Sequence, residues 1–450
     1  MQRLKQQLFK PIDIASLVFF RIVAGILLAG EQINQFLTGD YLNYIQPKFH
    51  FSYLFFPWLK PFPETGMYVL WAATILAGLL VAAGAFYRIS ATALFLGYSL
   101  LFLMEETEFV NHFYLYCLLC FWLIFVPAHR AFSVDVWRKP ELKRSYTPAW
   151  TVYLFVFQIS LVYFYAGLAK LHTDWLLAKP LKIWMSYKAS KPVIGGILGN
   201  AFTPWIMSYA GLLFDLLFAP LLLYRRTRWL GFALAAMFHL SNVFIFGLAT
   251  FPWFSLTLTS LYFNPGWPRK LPFFRRFIPA FVPEKAAAET VSNRHQKLVM
   301  YSVLTYAALQ ILIPFRHFLY PGNVNWTEEG HKFSWHMMLR AKDGMVNFQV
   351  KAPKTEGQEE TRFSIHPEDY LTQNQINKMA DQPDLILQFA HFLKAEYEKK
   401  GYKNPEVYVG SQCSLNGRAA QPLISPQTDL AAQERSLKHY DWILPLQEKW

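Results

Sequence analysis

Charge is scarce in this chain and unevenly divided. Only 16% of its 450 residues are charged, against 54% hydrophobic and 18% aromatic. That excludes an ordinary soluble domain and fits a protein that crosses a membrane several times. Acidic residues are the scarcer sign, with 30 Asp and Glu against 43 Lys and Arg and a formal net charge of +13. No nucleic-acid-binding motif accompanies the excess, so basic loops on one side of a membrane explain it better than a nucleic-acid partner. Cysteine is scarcer still. Cys117 and Cys120 share an apolar run and Cys413 is far away, which excludes a disulfide framework. Cys117-Leu118-Leu119-Cys120 has the spacing of a redox pair, but inside a span it reads as two small packing residues. Metal-ligand spacing, a phosphate loop, a nucleophile elbow, an internal repeat and a low-complexity tract are all missing. Nor is a cleavable signal peptide expected: Arg3, Lys5 and Lys10 precede the first apolar stretch, Arg21 interrupts it, and a cleavage site is lacking.

What is present is a series of long apolar segments, at 15–37, 66–86, 89–104, 110–127, 149–171, 205–224, 229–246, 249–263 and 299–315. Several fall short of the ~20 residues that a straight span needs, so the expectation is an α-helical polytopic bundle of about eight or nine spans, some tilted or partial. With the N-terminus on the cytoplasmic side and the chain alternating, the inner segments hold 19 Lys and Arg and the short outer ones 6. One alternation satisfies every loop, and it places residues 316–450 outside, in a periplasm or lumen.

Residues 1–315 are therefore expected to form the transmembrane domain, with 172–204, rich in Trp, Lys and Pro, as interfacial helices. Residues 316–450 are expected to form a strand-rich α+β extramembrane domain. Strands are expected at 331–339, 344–351, 361–365 and 405–415, and helices at 367–381 and 383–400.

The sidedness carries a further expectation. Lys170 ends a span that starts inside, Asn111 and His112 begin one that starts outside, and His239 and Asn242 lie about one turn apart in the outer half of another. Polar groups from distant segments thus share one depth. A span-end lysine alone is usually an anchor, and a lone interfacial histidine is usually structural. Several such groups at one level are costly to bury unless they pair or line a cavity, so they mark a candidate site. Other polar residues carry less weight. Asp215 and Arg21 read as a structural ion pair, Glu105, Glu106 and Glu108 as a solvated acidic loop, and Asp135 as an inner-side cap.

Longer strings show a resemblance. They are Asn111 to Tyr116, Tyr163 to Trp175 with its Ala166-Gly167-Leu168-Ala169-Lys170-Leu171, Phe238 to Phe251, Pro265 to Leu271, Phe333 to Met338, and Ser414 to Arg418. In this order the chain resembles the vitamin K-dependent γ-glutamyl carboxylase family and its bacterial relatives with an HTTM membrane domain. The resemblance implies that Lys170 is the base toward reduced vitamin K, its amine expected to stay neutral because desolvation disfavours the ammonium, with Asn111 and His112 supporting the reacting quinone. It implies further that His239, Asn242, Phe251, Met337 and Met338 border the quinone pocket, and that Arg418 and Trp335 handle the peptide substrate. It implies reduced vitamin K (phylloquinol or a menaquinol), O2 and CO2 as cofactor and co-substrates, no metal, a Glu-containing protein or peptide as partner, and membrane lipid around the bundle. The disulfide that ties the two parts of the animal enzymes has no counterpart, since Cys413 alone lies beyond the bundle.

The reaction so implied exchanges a γ-hydrogen of peptidyl glutamate for CO2. That hydrogen is too weakly acidic for a side-chain base, so oxidation of the quinol by O2 must generate a stronger one inside a dry cavity. Two other readings stay open: a quinol epoxidase without carboxylation, and a quinone- or lipid-binding membrane protein without catalysis.

Overall fold

The structure is a computed structural model that describes residues 2–282, 292–352 and 361–448. The α-helices of at least nine residues in its larger part are, in chain order, α1 (Ala15–Thr38), α2 (Glu64–Ala83), α3 (Tyr87–Met104), α4 (Asn111–Phe125), α5 (Trp150–Ala169), α6 (Lys179–Lys188), α7 (Thr203–Leu223), α8 (Arg228–Phe246), α9 (Phe251–Thr259) and α10 (Asn293–Leu312). Among the described residues, seven are long and apolar enough to cross a membrane: α1, α2, α3, α5, α7, α8, and α10 with its continuation to Leu319. The chain is thus a multi-pass membrane protein. The segment expected at 110–127 is a shorter apolar helix, α4. The one expected at 249–263 is not a full-length helix: α9 has 9 residues and one 3-10 turn follows it at Ser260–Tyr262. Gly247 ends α8 at φ 70°, and Pro252 opens α9. Leu248 in the non-helical link and Phe251 at the start of α9 line a cavity, the setting in which irregular backbone is tolerated at membrane depth.

Close helix packing starts from small residues. A methyl group on Gly25 of α1 would stand 2.6 Å from the Ala82 backbone nitrogen of α2, so only hydrogen at this position lets the two helices approach. At the end of the bundle that carries the N-terminus, Asp13 accepts from Arg269 at 2.6 and 2.9 Å and caps α1 through the Ala15 N–H at 2.9 Å. Asp135 accepts from the backbone of Phe86 and Tyr87 at 2.8 and 2.9 Å and caps α3, in keeping with its expected role. Arg21 does not pair with Asp215. Its guanidinium donates to the carbonyls of Ala128, Ala131 and Phe132, since Asp215 lies in the neighbourhood of Lys170 instead.

The C-terminal part contains β1 (Lys342–Ala352), β2 (Thr361–Ile365), α11 (Gln373–Met379), α12 (Pro383–Lys399) and β3 (Glu406–Leu415). The strands form an antiparallel sheet in the order β2-β1-β3, and α12 buries Leu385, Ile386, Phe389 and Leu393 in the core that it shares with that sheet. The helix expected at 367–381 is shorter, because a 3-10 turn at Pro367–Asp369 precedes a capping box in which Thr372 and Gln375 bond reciprocally. Residues 331–339 are not a strand. They form successive turns, with positive φ at Phe333 (63°) and Trp335 (59°), and they plunge into the bundle so that both rings sit 4.9 Å from Tyr114. Their alternating apolar pattern reports insertion between helices rather than a sheet.

The two cores interlock. Trp335 belongs to the bundle core, whereas Phe51 from the α1–α2 connection belongs to the C-terminal one. The acidic loop after α3 is correspondingly a buried joint and not a solvated face. Glu105 accepts from Gln375 at 3.0 Å, Glu106 from Lys332 at 2.7 Å and Arg435 at 3.0 Å, and Glu108 from Asn43 at 2.9 Å and Asn374 at 2.6 Å. Burial, with help from Glu105 and Asp40, holds the Glu108 carboxyl up at about 7. Since that lies above the ordinary 4.5, ionisation opposes the joint, and stability falls as pH rises from about 4.5 to about 7. Glu108→Gln is therefore expected to raise the thermal midpoint above pH 7 and leave it unchanged below pH 4.5. A difference of the same size at every pH, read by scanning fluorimetry in detergent, would count against this.

Candidate functional site

The end of α5 sets the site. Gly167 faces α7, and a methyl group there would stand 2.7 Å from Leu216 Cδ2 and 3.1 Å from the Leu216 backbone nitrogen. This close crossing brings the residue after the helix, Lys170, onto Asp215, one position before Leu216 on α7. Lys170 Nζ donates to Asp215 Oδ2 at 2.6 Å and to the Ala166 carbonyl at 3.3 Å, and lies 5.0 Å from the Trp175 ring. Both charged side chains are nearly inaccessible, at 7% and 4% exposure, so neither snorkels to a surface. Trp175 is fixed in turn by Nε1 donating to the Ser208 carbonyl at 3.0 Å and by its own carbonyl accepting from Ser208 Oγ at 2.6 Å.

Two further elements approach the same space. At the start of α4, Asn111 Nδ2 donates to the His336 carbonyl at 2.9 Å, which ties this helix to the inserted loop. His112 packs against Phe251, ring centroids 5.5 Å apart. On α8, His239 Nε2 bonds the Tyr163 hydroxyl of α5, which also bonds Ser255 Oγ at 2.6 Å. Phe251 stands 6.0 Å from the His239 ring and so lies between the two histidines. Asn111 Oδ1 and His239 Nδ1 are buried without a hydrogen-bond partner among the described residues.

These groups surround a cavity of about 460 Å³. Of the residues singled out from the sequence, Asn111, His112, Lys170, His239, Asn242, Phe251, Met337 and Met338 all line it. Trp335 and Arg418 do not. Trp335 is fully buried, stacked on Tyr114. Arg418 grips Asp174, just beyond Lys170, at 2.7 and 2.9 Å, and also bonds Glu448 at 2.6 Å. Sequence reasoning left Tyr163 out of the site and read Asp215 as a structural partner of Arg21. The signal for Asp215 was an acidic residue inside an apolar run. Its pairing with Lys170 rather than Arg21 depends on which helices cross.

The walls are apolar and aromatic toward the bundle, with Trp184, Phe238, Phe246 and Leu248. Toward the C-terminal part they become charged, with Lys332, Arg340 and Lys378 beside Glu106 and Glu328. Lys332 pairs with Glu106 at 2.7 Å and Arg340 with Glu328 at 2.7 Å. Burial, reinforced by Arg340, holds the neighbouring His331 imidazole far below its usual range. The same burial, with His317, takes His336 down to about 3. Both are neutral at physiological pH, so lysine and arginine supply the positive charge of this mouth. A buried apolar chamber with a few fixed polar groups suits a ligand that is mostly hydrocarbon.

Fold and site together define a polytopic membrane protein whose extramembrane domain closes a chamber holding a buried amine. Residues 9–267 match the profile of the HTTM domain, and residues 295–449 match that of the vitamin K-dependent gamma-carboxylase, lumenal domain. The chain belongs to the vitamin K-dependent γ-glutamyl carboxylase family, as a homologue with the HTTM domain. That membership makes it an enzyme of this class and links it to vitamin K or quinone chemistry. No solved structure matches the chain.

Gly167→Ala tests the crossing that builds the site. The added methyl group must displace Leu216, an overpacking cost of about 1–3 kcal/mol. The expected outcome is a lower thermal midpoint, partly restored by Leu216→Ala in the same chain. A double variant no more stable than the single one would show that this contact does not set the approach of α5 to α7.

Proposed function

We propose that the protein carboxylates the γ-carbon of glutamate residues in a peptide or protein, using reduced vitamin K or a menaquinol together with O2 and CO2, and releases the quinone epoxide. The observation that carries this reading is the buried Lys170 amine in the wall of a chamber with an apolar interior and a charged mouth, where Lys378 adds a third cation to the Lys332–Glu106 and Arg340–Glu328 pairs. Bound quinol would supply the reducing power that lets O2 generate a base stronger than any side chain. The residues present fit such a molecule. About 460 Å³ lies within the range of small-ligand pockets. The unpartnered Asn111 Oδ1 and His239 Nδ1 belong to residues that line it, and an unpaired buried polar atom costs about 1–3 kcal/mol unless a ligand group such as a ring hydroxyl, which can donate to Oδ1, satisfies it.

In this reading Lys170 Nζ takes the proton of a ring hydroxyl. Asn111 and His112 donate toward ring oxygens as negative charge develops, and His239, its ring held by Tyr163, is a further donor or relay. Phe251 packs on the ring system between the two histidines. Asn242 borders the ring, and Met337 and Met338 close the chamber from the C-terminal part and exclude water. Lys332, Arg340 and Lys378 receive the glutamate carboxylate at the mouth. The excess of Lys and Arg in the loops on the N-terminal side supports a cytoplasmic N-terminus, with the C-terminal part facing a periplasm or lumen, where the peptide would arrive. Trp335 and Arg418 support this arrangement through the inserted loop and the Asp174 clasp.

The test is purified protein with reduced vitamin K1, labelled bicarbonate and a short Glu-rich peptide. Label in the peptide is expected, with epoxide formed alongside. Lys170→Ala is expected to lose both products by at least ~100-fold, the scale of a lost acid–base group, and to regain part of the activity with a small soluble amine. Epoxide without label would select a quinol epoxidase, and unchanged epoxide formation by Lys170→Ala would remove the lysine from its role.

A further inference from the structure

Lys170 Nζ makes two hydrogen bonds and faces an aromatic ring. Nζ is directed at the Asp215 carboxylate, 2.6 Å, and at the Ala166 carbonyl, 3.3 Å, and Trp175 presents a ring 5.0 Å away. Two acceptors and an aromatic ring around one nitrogen suit a group with three N–H donors. A buried carboxylate at 2.6 Å stabilises that charged form, and the pair as a whole is neutral. An ammonium has no lone pair. A lysine held in this way cannot accept a proton unless it first passes one on.

Asp215 is the group to which it can pass one. Its Oδ2 already receives the Lys170 hydrogen bond, and Asp215 itself lines the same chamber. Tyr163 on α5, His172 just after it and His239 on α8 also stand near the pair, and the neighbouring carboxylate of Asp174 is already held by Arg418 and Asn416. We propose that Asp215 is the proton-holding partner of Lys170: as Lys170 Nζ takes a proton from the quinol hydroxyl, it gives one of its own to Asp215 Oδ2. The quinol O–H bond breaks, an N–H bond forms, an N–H bond breaks and a carboxylic O–H forms. No electrons change owner in the step. The pair goes from neutral to singly positive beside the negative charge left on the ring oxygen, so the chamber as a whole stays neutral. Asp215 acts through Lys170 and is a positioning residue in that sense. The inference rests on the quinol reading above.

Asp215→Asn keeps the size and the hydrogen bond but removes the site for the proton. Its epoxide formation is expected to fall by at least ~100-fold, the scale of a lost acid–base group. Its dissociation constant for reduced vitamin K1 should stay within about threefold, since the shape of the chamber is kept. The second readout needs no turnover. Under argon, reduced vitamin K1 added to wild-type protein in nanodiscs should produce an infrared carboxylic-acid C=O band that moves on labelling with 13C-aspartate. The band should be absent from Asp215→Asn and present in Asp215→Glu, and the isotope shift in the wild type decides even if the asparagine variant does not fold. Asp215→Asn with wild-type epoxide formation, or a wild type that forms epoxide without the band, overturns the inference and leaves the quinol reading standing. A wild type that binds vitamin K1 and shows the band, yet forms no epoxide, upholds the proton transfer and overturns the reaction. A wild type with neither overturns both.

Discussion

Two opposite charges removed from water, 2.6 Å apart, constrain much of this molecule. Desolvating an ammonium and a carboxylate costs several kcal/mol each, and only a close, well-oriented pairing offsets it. The pairing in turn requires α5 and α7 to touch, which Gly167 permits and any larger residue obstructs. A pair of apolar side chains would hold the same crossing at less cost. In the proposed reaction this ion pair serves chemistry as well as support, through the proton that it would relocate.

The same logic extends to the way in which the two parts of the chain meet. Chemistry that generates a strong base fails in contact with water, so the chamber needs a closed roof. Several buried polar links hold that roof: Glu105 with Gln375, Glu106 with Lys332 and Arg435, Glu108 with Asn43 and Asn374, and Asp174 with Arg418. The loop that carries Met337 and Met338 descends into the bundle and is anchored by two aromatic rings against Tyr114. The Asp174 clasp stands four residues after Lys170, so the roof and the amine are positioned by one short segment. Opening the links between Glu106 and its cations, or between Asp174 and Arg418, would leave an unpaired ion in a low-dielectric setting.

Much of this was legible in the amino-acid sequence, for reasons that can be named. Hydropathy over ~20 residues reports transfer into lipid, a property of each segment alone, and it located the long helices within a few residues. Asn111, His112, Lys170, His239 and Asn242 were placed at one depth from the alternation of spans, and they line one chamber because helices of similar length bring like positions to like levels. Elsewhere the inference stopped short. Apolar alternation in 331–339 read as a strand, yet the same alternation suits a loop whose aromatic residues fill gaps between helices. The acidic triplet after α3 read as solvated because its cationic and amide partners lie more than 200 residues away for Lys332, Gln375 and Arg435.

Composition, span lengths, the excess of cations on one side and the strings shared with a family were determined by the sequence by itself, because each depends on local transfer energies or on matching residues one at a time. The identity of the partner of Lys170 was decided by tertiary structure alone. The chain suggested Arg21 as the partner of Asp215, and only the crossing of α5 and α7 at Gly167 turned that carboxylate toward the lysine. Ion pairing falls steeply with distance in a medium of low polarity, and distances across a bundle exist only once its helices have packed.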